Sequence, residues 1–341
     1  MSAQPIAIKS VGLVTSVGLS APASCAAIRA KISNPTETRF MGSDGEWIMA
    51  HQVPLEKPWR GLAKLSRMAT MAITECLEGL PREEWGKLPL LLCVAEKERP
   101  GRFEGLDDRL FGEIQEELDV RFAPGAAIVA HGRVSVAVAL AQARKLIAEG
   151  DCPLALIAAA DSLLTWPTLS VYERDDRLLT TRNSNGLMPG EGAGALLVGQ
   201  PTGKAELQCK GVGFALEKAH VDSGEPLRAD GLSAAIKNAL SDAGCALHDL
   251  DYRITDLSGE QYYFKEAALA LSRVLRQRKA EFDLWHPAES IGEAGAAAGI
   301  AVLAVASAAG SKAYAPGPGI LAHLANDTGQ RAAVVLNFGG A

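Results

Sequence analysis

Two segments of this chain have almost no polar face when wound as helices. One lies in AAIVAHGRVSVAVALAQARKLIAEG, Ala126–Gly150, and the other in AESIGEAGAAAGIAVLAVASAAG, Ala288–Gly310. A helix on a protein surface keeps a polar stripe, so a helix without one is buried on all sides. The apolar run Ala294–Gly310 falls short of the roughly 18 residues that a membrane span needs. Both helices are therefore expected inside protein. Of the 341 residues, 48% are hydrophobic and only 5% aromatic, with 34 glycines. Such a chain can bury a large core and pack it closely with small residues.

Around these helices, short apolar strands alternate with helical stretches. Strands are expected at Ile6–Val14, Leu88–Ala95, Ala127–Ala130, Leu154–Ala160 and Gly194–Val198. Helices are expected at Ala21–Ile32, Lys64–Leu80 and Val134–Glu149, the last closed by Gly150. That order is an α/β layered fold. Parts of it recur. IKSVGLVTSVG (Ile8–Gly18) has a counterpart in LQCKGVGFALE (Leu207–Glu217). The two Ala-rich helices match, and so do the strands ending at Asp161 and Asp327. Loose likeness of this kind occurs in many α/β proteins; the matched order of three elements favours a true duplication. The expected halves are 1–201 and 202–341, hinged near Gly199–Lys204. Two buried helices between two sheets give a five-layer α-β-α-β-α sandwich, with both helix N-termini pointing at a common interior point.

Charge and cysteine usage narrow the functional classes. Thirty-four Lys and Arg against 40 Asp and Glu leave a net charge of −6, which argues against nucleic acid or an anionic membrane as partner. Residues 1–31 lack the charged and apolar regions of a signal peptide. The six cysteines form no C-x-x-C pair and the six histidines are dispersed. A reduced, cytoplasmic protein without a zinc site or other metal is the expectation, and no cofactor motif is present.

Several segments, in chain order, resemble the β-ketoacyl synthases of the thiolase superfamily. NGLMPGEGAGALLV (Asn185–Val198) is similar to their glycine-rich segment, and IKSVGLVTSVGLSAPASCAAIRA to their opening strand, loop and helix. LAKLSRMATMAITECL resembles their second helix, and AEGDCPLALIAAADS the strand after the nucleophile helix. SIGEAGAAAGIAVL resembles the segment that ordinarily reads Gly-His before a Gly-Ala-Ala-Gly turn. The resemblance spans nearly the whole chain and implies the thiolase fold, built from two duplicated halves. Within it, Gly190–Gly194 reads as scaffold, with Glu191 accepting backbone hydrogen bonds.

The resemblance also implies a cysteine nucleophile and two donors for the developing enolate, commonly histidines. This chain lacks them. Counting without gaps, the cysteine slot falls on Arg133, with His131 two residues before it; a two-residue slip would put His131 there instead. The first histidine slot falls on Asp256 and the second on Glu293, and the gate near the C-terminus reads LANDTG (Leu324–Gly329). The terminal NFGGA also looks like that gate, but it follows the expected last strand, Ala332–Leu336, and is read as accidental. Arginine stays protonated, and ionised carboxylates accept hydrogen bonds rather than donate them. The site's polarity is inverted. One guanidinium facing two carboxylates forms a stable ion cluster if every group is paired.

The expected function is thus a pseudoenzyme or scaffold subunit without condensing activity, a homodimer or a heterodimer with a condensing-enzyme relative, with acyl carrier protein or acyl-CoA as further partners. One alternative is a divergent acyltransferase or thioester hydrolase using His131 or Asp256 as base; a pocket filled by side chains argues for the scaffold instead. Another is an adaptor or chaperone using aromatic loops such as Leu163–Leu179, with Trp166 and Tyr172. His131 and His286 also suit structural roles. Asp256, Ser258 and Glu260 suit loop caps or salt bridges, or, as a minority reading, a metal. Cys152 reads as a buried thiol. Lys57, Arg60, Lys64 and Arg67 suit a solvated helix face, or a patch that meets an acidic carrier protein.

Overall fold

The computed structural model describes residues 4–339. The first half runs β1 (Ile6–Val14), α1 (Ala21–Arg29), a hairpin of β2 (Thr36–Met41) and β3 (Trp47–Ala50), α2 (Gly61–Leu77), the single turn α3 (Arg82–Trp85) and β4 (Leu90–Cys93). It continues through α4 (Arg109–Leu118), β5 (Ala127–Val129), α5 (Ser135–Ala148), β6 (Leu154–Ser162), α6 (Trp166–Arg174) and β7 (Glu191–Gly199). The second half has β8 (Glu206–Leu216), α7 (Asp230–Ala243), β9 (Tyr252–Thr255), α8 (Gln261–Val274) and β10 (Leu284–Trp285). The turn α9 (Ala288–Ile291), α10 (Ala297–Ser311), β11 (Gly319–Ala325) and β12 (Gln330–Gly339) complete it. Gly340 and Ala341 of the terminal NFGGA lie outside the described residues.

The chain traces one path twice. Five strands of the first half lie in the order β5-β4-β6-β7-β1, and five of the second in the order β10-β9-β11-β12-β8. Each inner strand (β4, β9) pairs parallel with two neighbours, and each half ends on antiparallel pairs (β6 with β7, β11 with β12). The two halves join where Ile6–Ile8 of β1 pair antiparallel with Leu207–Cys209 of β8. The ten strands therefore form one continuous sheet that folds around α5 and α10.

Three apolar clusters give the five layers. The central one packs α5 and α10 between the inward faces of both half-sheets. The second packs α2 and α4 on the outer face of the first half, and the third packs α7 and α8 on the outer face of the second. α10 is buried along nearly its whole length. α5 departs from the expectation that both helices are enclosed. Its front half is buried, but Gln142, Lys145 and Ala148 are exposed, and Arg144 reaches Asp242 of α7 at 2.7 Å. The polar residues of its last turns sit on one face and turn that face to solvent. The expected strands and helices otherwise recur with ends displaced by a few residues, most at α1 and α2.

Small residues set the layer spacing. A Cβ added at Gly194 of β7 would stand 2.3 Å from Cγ2 of Ile300 on α10, so strand and helix approach closely only because that position has no side chain. Gly194→Val is expected to destabilise the fold by about 1–3 kcal/mol in denaturant unfolding, the usual cost of overpacking a core. Adding Ile300→Ala should recover part of that loss. Additive losses would show that the two positions do not share this contact.

Candidate functional site

The starts of α5 and α10 converge on one interior point, and each turn is built in the same way. Gly132 before α5 has φ +52°, and Gly295 before α10 has φ +55°. A Cβ at Gly132 would fall 1.9 Å from Oε2 of Glu96, and one at Gly295 would fall 2.1 Å from Oδ2 of Asp161. Only glycine tolerates both the backbone and the approach of a carboxylate. Arg99 holds the two acids together, with Nη2 to Glu96 at 2.7 Å and Nη1 to Asp161 at 2.7 Å. Asp161 also accepts from the Ala296 N–H at 2.8 Å, and Glu293 from the Gly295 N–H at 3.0 Å. These carboxylates satisfy free N–H groups at the start of α10, and their charge has the favourable sign there.

Arg133 stands at the start of α5, inside a single 3-10 turn, Gly132–Val134. A cation at a helix N-terminus has the unfavourable sign, and its burial adds a desolvation cost. Both are offset by what surrounds it. Its Nη1 donates to Glu293 at 3.0 Å, and its Nη2 donates to Asp327 at 2.6 Å and to the Tyr263 hydroxyl at 2.8 Å. The guanidinium also lies 4.7 Å from the Tyr263 ring centroid. Asp256 is an ionic neighbour at 3.9 Å, too far for a hydrogen bond. Its own bonds come from the Ala325 N–H at 3.1 Å and the Thr255 hydroxyl at 3.2 Å. A second guanidinium, Arg177, makes a two-pronged pair with Glu260 at 2.7 and 2.9 Å and bonds both oxygens of Asp327 at 2.9 and 3.2 Å.

Two guanidiniums thus face four carboxyl groups, from Asp256, Glu260, Glu293 and Asp327. Burial pushes Glu293 up to about 7 against the pull of Arg133, and burial likewise raises Asp256. For Asp327 burial pushes upward too, but Arg133, Arg177 and their hydrogen bonds outweigh it and hold the carboxyl well below the usual range. Asp327 is the fixed anion of the cluster, and Glu293 is the group that can take up a proton near neutrality. These side chains fill the space: the cavity between Arg133, Glu293, Asp327 and Tyr172 measures about 10 Å³, room for about one water.

Arg133, Asp256 and Glu293 are therefore brought together, whereas His131 is not part of the set. Its Nδ1 lies 3.2 Å from Gln330 Oε1, and its carbonyl accepts from Asn326 at 2.6 Å. The 3-10 turn rotates successive side chains apart, so the residue two positions before Arg133 faces β12. Sequence reasoning missed Asp327, Arg177, Tyr263 and Arg99. Asp327 carried a signal, since it lies in the LANDTG segment read as the gate; Arg177 lies in the loop Leu163–Leu179 and Tyr263 in the segment Asp251–Phe264 that holds Asp256, though neither was singled out, and Arg99 lies in no recognised motif. Ser258 donates to Glu293 at 2.9 Å, and Glu260 is committed to Arg177, so this trio serves the ion cluster.

Other candidates fall elsewhere. His286 lies 3.3 Å from Glu289 and packs edge-on against Phe264. Glu191 accepts from the Val53 N–H at 2.9 Å and from Lys64 and Ser162, which gives it the scaffold role expected. Cys152 is buried and burial raises its thiol pKa. Tyr172 is buried against Arg177 at 4.9 Å and offers no exposed footprint, whereas Trp166 is 47% exposed. The basic stretch divides: Lys64 pairs with Glu191, and Arg67 with Glu56 and Glu117. Lys57 and Arg60 remain, with Arg39, on a groove of about 720 Å³ beside the β2–β3 hairpin.

A fold of two topologically repeated halves, with two buried helices starting at one polar point, is that of the ketosynthases. No family model and no curated protein sequence matches the chain, but solved structures do over nearly its full length. The ishigamide ketosynthase/chain length factor superposes with a TM-score of 0.79 at 18% identity, covering 99% of this chain and 100% of that one. A type II PKS acyl-carrier protein in complex with its ketosynthase bound to the hexaketide gives 0.81 at 14%, covering 98% and 100%. A ketosynthase in complex with its chain length factor from Xenorhabdus doucetiae gives 0.76 at 13%, covering 98% of each chain. The chain thus has the thiolase-type fold that the sequence resemblance implied.

Two measurements test the cluster. A carboxyl raised from 4.5 to about 7 by folding keeps its proton in the folded state while the unfolded chain loses it, so its contribution to stability falls between those pH values and is level above them. Glu293→Gln should remove that fall, which is on the order of 3 kcal/mol at most; an unchanged stability–pH slope would refute the assignment. Arg133→Met leaves Glu293 without its cation and Asp327 with Arg177 alone, and should cost about 3–5 kcal/mol in denaturant unfolding at pH 7. A neutral effect would mean that the cluster is not held by Arg133.

Proposed function

We propose that this chain is a non-condensing partner subunit of a ketosynthase-type pair. The observation that carries the reading is Arg133, the residue that counting from the neighbouring motifs assigns to the nucleophile position: its guanidinium is bonded to Glu293, Asp327 and Tyr263, beside a cavity of about 10 Å³. Condensation needs a thiolate and donors for an oxyanion. This position offers a fixed cation, acceptors and no space for an acyl chain. Two of the similar structures are a ketosynthase/chain length factor and a ketosynthase in complex with its chain length factor, which supports pairing with a cysteine-bearing relative. Among the described residues β5, at one end of the sheet, pairs only with β4, and its other edge is where a partner strand would continue the sheet.

A carrier-protein contact extends the proposal. Another similar structure holds an acyl-carrier protein with its ketosynthase, and the groove bearing Arg39, Lys57 and Arg60 has the charge that an acidic carrier would meet. A cytoplasmic setting remains part of the proposal; all six cysteines are free thiols, and among the described residues no helix is long and apolar enough to cross a membrane. Against a thioester hydrolase weigh the turned-away His131 and the lack of room beside Asp256. The adaptor reading draws support from exposed Met41, Trp47 and Met49 on the hairpin, and a partner subunit uses such a surface equally well.

The test combines intact-mass and turnover assays using octanoyl- and malonyl-thioesters, on coenzyme A and on carrier protein, with light scattering of the chain alone and mixed with a cysteine-bearing ketosynthase from the same genome. The expected result is no acyl adduct, no turnover and a stoichiometric heterodimer. Acyl transfer lost on substitution of Asp256 or Glu293 would overturn the proposal.

A further inference from the structure

We propose that the cavity between α1, β10 and the end of α10 binds a small, flat anion, an aromatic carboxylate of about two fused rings. The cavity measures about 320 Å³, at the small end of ligand sites. An apolar cavity of roughly 150 Å³ holds benzene, which sets the two-ring size. Trp285 and Tyr314 form its aromatic walls, with ring centroids 6.3 Å apart and planes 23° from parallel. Ile28 and Val305 supply aliphatic surface. An aromatic lining favours an aromatic guest that packs beside these rings rather than between them.

The rim sets the charge of that guest. The Arg29 guanidinium lies 4.0 Å from the Tyr314 ring centroid, and Lys31 stands at the same rim. Among the described residues, neither has a carboxylate within ion-pair distance. The nearby acid, Glu289, already faces His286 at 3.3 Å. The helices on either side, α1 and α10, are followed by non-glycine residues with left-handed backbone, Lys31 at φ 55° and Ala313 at φ 53°. Such conformations persist where the surroundings fix them, and here they set Lys31 and Tyr314 at the cavity. Tyr252 packs on Trp285 with centroids 4.6 Å apart. The cavity shares no lining residue with the one beside Arg133, so this inference stands or falls apart from the partner-subunit reading.

Calorimetric titration of the full chain with 2-naphthoate, and with neutral 2-naphthamide, tests it. The acid should bind saturably, one per chain, with a dissociation constant below about 1 mM. The amide should bind at least about tenfold more weakly, and Arg29→Gln/Lys31→Gln should lose at least about tenfold for the acid, the scale of a lost charged hydrogen bond. Tyr314→Leu should weaken both ligands. Because Arg29 and Lys31 are exposed, the double variant keeps the test decisive even if Tyr314→Leu misfolds. No saturable binding of 2-naphthoate, equal binding of the amide, or full affinity in the folded double variant would each overturn the proposal.

Discussion

The cost of taking a guanidinium out of water organises the centre of this protein. Arg133 sits where a helix already presents positive charge, in a region with almost no solvent. An arginine cannot escape by losing its proton, so the surroundings must supply anions. They supply more than it needs. Asp327 is shared with Arg177, Glu293 is shared with Ser258 and the α10 backbone, and Asp256 stands nearby on bonds of its own. Burial raises Glu293 and Asp256 against the pull of Arg133, while Asp327, between two cations, is held well below the usual carboxylate range. Arg133, Asp256 and Glu293, far apart in the sequence, thus belong to one electrostatic cluster.

That cluster was only partly legible beforehand. The buried helices were readable because a helical run without a polar stripe must be enclosed by protein, and the topological repeat because strands and helices recur in matched order. Arg133, Asp256 and Glu293 could be placed by counting from neighbouring motifs. The partners that complete the cluster could not, because Arg177, Tyr263 and Arg99 lie in loops and helix faces whose side chains meet only after long-range folding. Asp327 was visible as a departure from the gate, but nothing local says that it lies between two arginines. His131 shows the opposite limit: adjacency in sequence suggested a shared site, and one tight turn of backbone separated it from Arg133. For α5, counting apolar residues overstated burial, since Gln142, Lys145 and Ala148 lie on the face that the fold leaves open.

The turns before α5 and α10 show how the fold's symmetry survives a change of chemistry. Both use a glycine with positive φ and a carboxylate pressed against it, and Arg99 joins the two carboxylates. This frame places the helix starts toward each other whatever residue follows. The residue that follows the glycine therefore decides what the interior point can do, while the frame decides where it is.

The arginines and the acids of the cluster do not come from the same side of the repeat. Arg133 and Arg177 belong to the half that ends with β7; Asp256, Glu260, Glu293 and Asp327 belong to the half that begins with β8. Halves that share one topology have become lock and key. Two copies of the first would set cation against cation, and two copies of the second would bury acid against acid. The two halves follow a common path but are not interchangeable, because each meets the other with the opposite sign of charge.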